Sequence, residues 1–261
     1  TDGHSVYTCG VCVKRLGLGT GWTMETSDHG TSVLSVHDAI RSAILRGALE
    51  PGRVVSQLQL ARELGVGRTP LREALRLLQR EGLVTLEPNR RVRIADLSVT
   101  DAEEIYTMRI TLEAVAIRLT VPNLTADDFA ELEGLYAQMD YFTRLNDVER
   151  LNAPHRAFHL GFVRGAGQRW VELIGQLFDH AERYRLRFVR ISPDGGAPRQ
   201  AEHRAMLDAA LAGDVERTVA CMALHYAHTA TVVLSSLQPG YRSARLAAVL
   251  DMVAPQARIA Q

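Results

Sequence analysis

The sequence predicts a mainly α-helical protein in two parts. An N-terminal winged helix-turn-helix domain covers 33–97, and a C-terminal all-α antiparallel helical bundle covers 98–238. Three observations carry this. Two capped helices stand at helix-turn-helix spacing around Gly65. Two short β-runs follow them, flanking Pro88-Asn89-Arg90-Arg91. Past Ser98 every segment has the apolar period of a helix, and the loops between segments are short. The length, 261 residues, is comfortable for two domains. Residues 1–32 read as a disordered or extended leader, with five glycines ahead of Met24, and 239–261 as a partly helical tail.

Taken in order, Ser35 opens the first helix with Asp38 behind it, and Val36, Ile40 and Ile44 form its apolar stripe. Ser56 to Gln59 is a second capping box, and Gly65 stops that helix. Thr69 then reads as an N-cap with Pro70 at the first helical position, and the helix runs to about Gln79. Leu83–Leu86 and Val92–Ile94 read as the two strands of a wing. In the second half, Thr100…Glu103 and Thr125…Asp128 are capping boxes for helices to about Leu119 and Leu145. Further helices are expected from about Asn152 to Arg164, Trp170 to Val189, Arg199 to Leu211 and Asp214 to Leu237. Leu246, Val249, Leu250 and Val253 form a last amphipathic stretch, suited to packing on a partner.

The formal net charge is +0, so affinity for a polyanion has to be local. From Leu34 to Leu97 eleven arginines face seven acids. The N-terminal end of a recognition helix meets base edges in the major groove, and Arg68, Thr69, Arg72 and Glu73 occupy that end. Ser56, Gln57, Arg62 and Arg76 are phosphate candidates, and Arg90 and Arg91 stand at the wing tip. A bland alternative exists for any one arginine, namely a solvated surface. The complete helix-turn-helix and wing arrangement argues for double-stranded DNA.

Cys9 and Cys12 form a lone CxxC, a weak zinc signal without a second pair. No run approaches the ~20 apolar residues of a membrane-spanning helix, and a reduced, cytoplasmic protein with no membrane partner is expected.

The histidines carry the second signal. His155 and His159 are four residues apart, hence on one helical face. His203 and His225 stand about ten residues to either side of a tight Gly213-Asp214 turn, so antiparallel packing would bring them level. A lone interior histidine is more often a satisfied core residue than a ligand. Four that converge could hold a divalent transition metal, and imidazole suits zinc or nickel. Glu113 could face this site, whereas Glu202 would point away from it.

Val66-Gly67-Arg68-Thr69-Pro70-Leu71-Arg72-Glu73-Ala74-Leu75, followed by Glu81-Gly82-Leu83-Val84, resembles the winged-helix domain of GntR-type bacterial transcription regulators. Met108–Glu113, His155–Leu160 with Gly165-Ala166-Gly167, and Glu202–Leu207 with His225 resemble the all-helical FCD domain of the FadR-like subfamily. The resemblance spans about Val36 to Leu237. It implies an FCD-type bundle, a metal held by His155, His159, His203 and His225, a homodimer on an inverted-repeat operator, and a small carboxylate effector anchored by Arg109. Arg164, Arg185 and Arg187 are weaker anchors. Two departures are visible: the family usually has glycine where this chain has Arg91, and aspartate where it has His155. The second removes a charge and favours zinc or nickel over manganese.

The reading that results is a ligand-responsive DNA-binding regulator, in repressor form, with no catalytic residues. A metal-dependent enzyme fused to a DNA-binding module is the alternative, and a purely architectural DNA binder a third. No HExxH, Gly-x-Ser-x-Gly or phosphate-binding Gly-rich loop supports the enzyme.

Overall fold

The computed structural model describes residues 12–15, 22–25, 32–188 and 197–255. It falls into two compact units, Thr1–Leu97 and Ser98–Gln261.

In the first unit, β1 (Cys12–Arg15) and β2 (Trp22–Glu25) pair antiparallel. Most of the leader, Cys9 included, lies outside the described residues. Helix α1 (Val33–Leu45) is capped by Ser32, whose hydroxyl accepts from the Ser35 amide at 3.1 Å. The expected cap, Ser35, sits inside the first turn, because Ser32 reaches the free amide three residues on.

β3 (Val54–Ser56) leads directly into α2 (Gln57–Leu64), with Ser56 as its N-cap. Gly65 ends α2 at φ +65°, a left-handed conformation that costs glycine nothing and so makes the tight turn. α3 (Arg68–Arg80) begins one residue earlier than expected, with Gly67 at the cap and no side-chain cap bond. Thr69 is therefore helical rather than the cap. Pro70 falls at the third position, where its missing N–H is still one that no helical carbonyl would have accepted.

β4 (Val84–Glu87) and β5 (Arg91–Ile94) form the wing. β3, too short to show a period in sequence, joins β5 on its other side, giving the antiparallel order β3-β5-β4. The left-handed residues of the wing turn are Asn89 (φ 59°) and Arg90 (φ 55°), while Arg91 is the first residue of β5. Arg91 thus avoids a positive φ, which falls one and two residues earlier, partly on asparagine, which tolerates it. The core of this unit is wholly apolar: Val36, Ile40, Leu60, Leu71, Leu75, Leu78, Leu83, Val92 and Ile94 are among its buried side chains.

The second unit is built from α4 (Val99–Thr120), α5 (Ala126–Arg144), α6 (Val148–Gly161), α7 (Gln168–Phe188), α8 (Ala197–Leu211), α9 (Val215–Leu237) and α10 (Ala244–Val253). Ser98, not Thr100, caps α4 by accepting from the Asp101 amide at 3.1 Å. Thr125 and Asp128 make the reciprocal capping box expected for α5. α6 begins at Val148, earlier than expected, because Asp147 caps it. The expected loop from Ser192 to Gly196 lies outside the described residues. α4 is central, packing on α7, α9 and α10. The last stretch packs on its own chain: Leu246 and Val253 are buried, and Tyr241 and Ser243 donate to Glu103 on α4 at 3.0 and 2.6 Å. Gly165 passes so close to α4 that a Cβ would lie 3.1 Å from Thr120 Cα, and its amide donates to Thr120 Oγ1. No helix among the described residues is long and apolar enough to cross a membrane.

Candidate functional site

Three helices bring four histidines to one point. α6 presents His155 and His159 one turn apart, α8 presents His203, and α9 presents His225. All four are buried, and one nitrogen from each lies within 4.8 Å of the others. His159 Nε2 is 3.2 Å from both His155 Nε2 and His203 Nε2.

The other ring nitrogens explain why the Nε2 atoms face inward. Tyr226 Oη donates to Glu113 Oε2 at 2.7 Å, so it accepts from His159 Nδ1–H at 2.9 Å. His225 Nδ1 donates to Glu202 Oε2 at 2.7 Å. His203 Nδ1 donates to Gln200 Oε1 at 3.2 Å. In each ring the proton is held at Nδ1, which leaves the Nε2 lone pair free for an ion. Burial pushes the pKa of His155, His159 and His203 well below the usual histidine value. His225 is also lowered by burial, with Glu202 opposing the shift. The rings are therefore neutral, the form that ligates.

Inward lone pairs at 3.2 Å repel each other unless something lies between them. Two nitrogens about 2.1 Å from a shared ion would stand near that distance at an angle of about 100°. The donor set fits a transition metal, and the cluster could hold one. His155 differs from the other three. Its Nδ1 is buried with no hydrogen-bond partner, and Glu182 Oε1 at 3.8 Å is too distant to hold a proton there.

Glu202 was expected to point away from the cluster; instead it accepts from both His225 and His228. His228 lies three residues after His225 on α9 and stays exposed. Tyr226, Gln200 and Glu202 are the site residues that sequence reasoning missed. Gln200 stands three before His203, a helical spacing that could have signalled it.

Arg109 lies on α4, where it was expected to face the site. It is 3% exposed and donates Nε to Glu113 Oε1 at 2.9 Å. Its guanidinium carbon sits 4.0 Å from the Tyr226 ring centroid and 4.8 Å from that of Phe178, the ring that also packs on His155 and His159. Burial opposes the charge on Arg109, but Glu113 outweighs it and the pKa rises. Glu113 itself is raised by burial, against the pull of Arg109. Nη2 of Arg109 is left buried with no partner. Arg109, Glu113, Tyr226 and His159 thus form one hydrogen-bonded line from a free donor to the cluster. The weaker anchors do not share this place. Arg164 pairs with Asp128 and Glu131 at the surface, Arg187 is exposed, and Arg185 is held by Glu182 and Asn152.

In the first unit the charges lie outside. Arg68, Thr69, Arg72 and Arg76 are exposed on α3, and Arg62 on α2. Glu73 is held between Arg72 and Arg76 and accepts from Arg76 at 3.0 and 3.1 Å. Ser56 Oγ is occupied as the α2 cap. The Gln57 amide donates to the Arg90 carbonyl at 2.9 Å, which fastens the wing tip to the start of α2. Arg90 and Arg91 themselves are exposed.

Two family profiles match the chain: bacterial regulatory proteins of the gntR family over residues 33–94, and the FCD domain over residues 104–228. The chain is 34% identical over 100 residues to the uncharacterised HTH-type transcriptional regulator YdhC of Bacillus subtilis, a match covering 38% of this chain and 45% of that protein. It is 30% identical to the HTH-type transcriptional regulator McbR of Escherichia coli, over 58% of this chain and 68% of that one. The solved structure of E. coli McbR/YncC superposes with a TM-score of 0.71 at 26% identity, covering 80% of this chain and 99% of that chain. The HTH-type transcriptional repressor GlaR of E. coli is 27% identical over 71% of this chain and 88% of its own length. These relatives are regulators of transcription, not enzymes.

Proposed function

The chain belongs to the gntR family of bacterial regulatory proteins and carries an FCD domain, and from that premise we propose that it is a repressor released by a small organic acid at a metal-containing pocket. One observation carries the reading: three buried histidines with Nδ1 engaged turn their Nε2 atoms to one point, beside an arginine whose Nη2 has no partner. A bound divalent ion, zinc first and nickel second, would supply a Lewis-acid site for a carboxylate oxygen. His159, His203 and His225 would hold it, with His155 as a fourth donor in place of the family's usual aspartate. Arg109 would bind the carboxylate through Nη2 while Glu113 keeps its guanidinium charged and aligned. Repression accords with relatives such as GlaR, whose name is that of a repressor.

Two copies would place two α3 helices on the half-sites of an inverted repeat. Arg68, Thr69, Arg72 and Glu73 would meet base edges, and Ser56, Gln57, Arg62, Arg76, Arg90 and Arg91 the backbone or groove. The second unit offers a face for pairing. Met108, Val115 and Leu119 are exposed along one side of α4, at spacings of seven and four. The effector would weaken operator binding by the difference in its affinity for the DNA-competent and released states. The test is a titration of metal-loaded protein onto operator DNA with and without small carboxylates. The expected result is release by at least one acid that also raises the melting temperature. DNA affinity indifferent to every acid tried would leave an architectural binder.

A further inference from the structure

We propose that His155 is the exchangeable donor of the cluster: an arriving carboxylate takes its place on the ion, and the displaced ring turns its Nδ1–H to Glu182. The inference rests on the reading of the site as a metal-assisted carboxylate sensor, and goes further by naming the position at which the acid enters.

Four imidazoles pose a difficulty for such a sensor. A zinc site closed by four protein ligands is tetrahedral, and a small acid binds only where a position is open. All four rings reach the same point, with one nitrogen of each within 4.8 Å of the others, so a tetrahedral ion would have to release one of them. The far side of each ring decides which. His159 is held at Nδ1 by Tyr226, His203 by Gln200 and His225 by Glu202, at 2.9, 3.2 and 2.7 Å. A ring hydrogen-bonded in this way is fixed in tautomer and orientation. His155 has no such hold. It is buried, and its Nδ1 meets no partner.

An acceptor stands close to that nitrogen. Glu182 on α7 places Oε1 3.8 Å from it. Arg185 donates to both Glu182 oxygens at 2.6 Å, which keeps the carboxylate in position, and each oxygen has a second lone pair to offer. A shift of under about 1 Å brings Nδ1 to hydrogen-bond length. A ring moving as a body by that much carries Nε2 past the roughly 0.2 Å that a metal–ligand distance tolerates. One bond to the ion is thus exchanged for a charge-assisted hydrogen bond. The metal–Nε2 bond breaks with its electron pair left on nitrogen. The metal–oxygen bond forms with a pair from the acid, and no proton leaves His155. Phe178 joins the two ends of this exchange. Its ring centroid lies 5.3 Å from that of His155 and 4.8 Å from the guanidinium carbon of Arg109. The anchor proposed for the acid and the ring that yields to it therefore lie against one side chain.

The experiment uses the full chain loaded with cobalt in place of zinc, whose visible absorption reports the donors around the ion, and acetate as the probe. Chelator competition comes first. His155→Ala is expected to hold about one equivalent of cobalt, at least about tenfold more tightly than His159→Ala, His203→Ala or His225→Ala. A His155→Ala protein that loses cobalt as readily as those three would overturn the proposal and leave the sensor standing. His155→Val answers the same question if alanine fails to fold. Saturating acetate is then expected to bring native and His155→Ala proteins to the same spectrum, that of three imidazoles and one oxygen. Different end spectra would mean that His155 stays on the ion, and would overturn the exchange alone. Imidazole added to His155→Ala should fill the fourth position and restore the native spectrum; a variant indifferent to imidazole would also count against the exchange. No response to acetate in either protein would sink the carboxylate sensor and this inference with it.

Discussion

The two units handle charge in opposite ways. Among the described residues of 1–97, the buried side chains are apolar, and the arginines of α3 and the wing stand in solvent. Among the described residues, every buried polar or charged side chain falls after Ser98: Arg109, Glu113, Glu182, Gln200 and the four histidines among them. The difference accords with the proposed roles of the two units. A duplex is met at a surface, and its phosphates reward cations that stay hydrated until contact. A small acid must be enclosed, and recognition there needs polar groups already stripped of water. Burying those groups is costly unless they are paired. The second unit keeps most of them in partnerships, and a few donors, Arg109 Nη2 among them, are left buried without one.

Breaking the cluster should give the largest effect. Purified protein is expected to carry about one equivalent of a transition metal by elemental analysis, and His159→Ala/His203→Ala should carry none. Native protein free of metal would remove the basis for the contrast at the histidines.

Next comes the buried pair. Glu113→Ala strands the Arg109 charge and deprives Tyr226 of its acceptor, an expected loss of about 3–5 kcal/mol in urea unfolding. Adding Arg109→Met should recover much of that loss, since no charge is then left alone. A loss under about 1 kcal/mol for Glu113→Ala would mean that the pair is solvated.

The histidines predict a pH dependence for the metal-free protein. Their folded pKa values are depressed below the unfolded value of about 6.5, so the unfolded chain binds the extra protons. Stability is then complete above about pH 6.5 and falls as the pH drops below it, by about 1.4 kcal/mol per unit for each such ring. A thermal melt series from pH 7.5 to 5.5 checks the sign. Metal-free protein that grows more stable toward pH 5.5 would contradict neutral burial.

In the first unit the signs separate function from stability. Arg72→Ala should cost about 1–3 kcal/mol of operator discrimination in an anisotropy titration. Its melting point should stay within what about 0.5 kcal/mol produces. Smallest of all, Glu73→Ala, which breaks an exposed ion pair with Arg76, should change stability by no more than about 1 kcal/mol. The same chemistry, a carboxylate removed from an arginine, is thus expected to differ several-fold between Glu73 and Glu113 because only one pair is buried.

Much of this was legible beforehand, and the misses share a cause. Helix number, the wing strands and the Thr125 capping box follow from local pattern. So does the shared face of His155 and His159, which depends only on helical geometry. Cap positions slipped at Ser32 and Ser98 because several hydroxyls near a helix start compete for the same amides, and at Gly67 because no side chain caps that start at all. β3 stayed hidden because three residues show no period and its pairing with β5 is long-range.

The sequence by itself determined the elements, their apolar stripes and the set of histidines able to converge, since these depend on neighbours a few residues apart. Only the tertiary structure decided that Glu202 turns inward to His225, that Tyr226 joins Glu113 to His159, and that Arg109 and Gln200 keep unpaired atoms near the cluster. Those outcomes depend on how α4, α6, α7, α8 and α9 are rotated against one another. That rotation is set by packing among side chains as far as 113 residues apart in sequence, the separation of Glu113 and Tyr226, and no local window contains it.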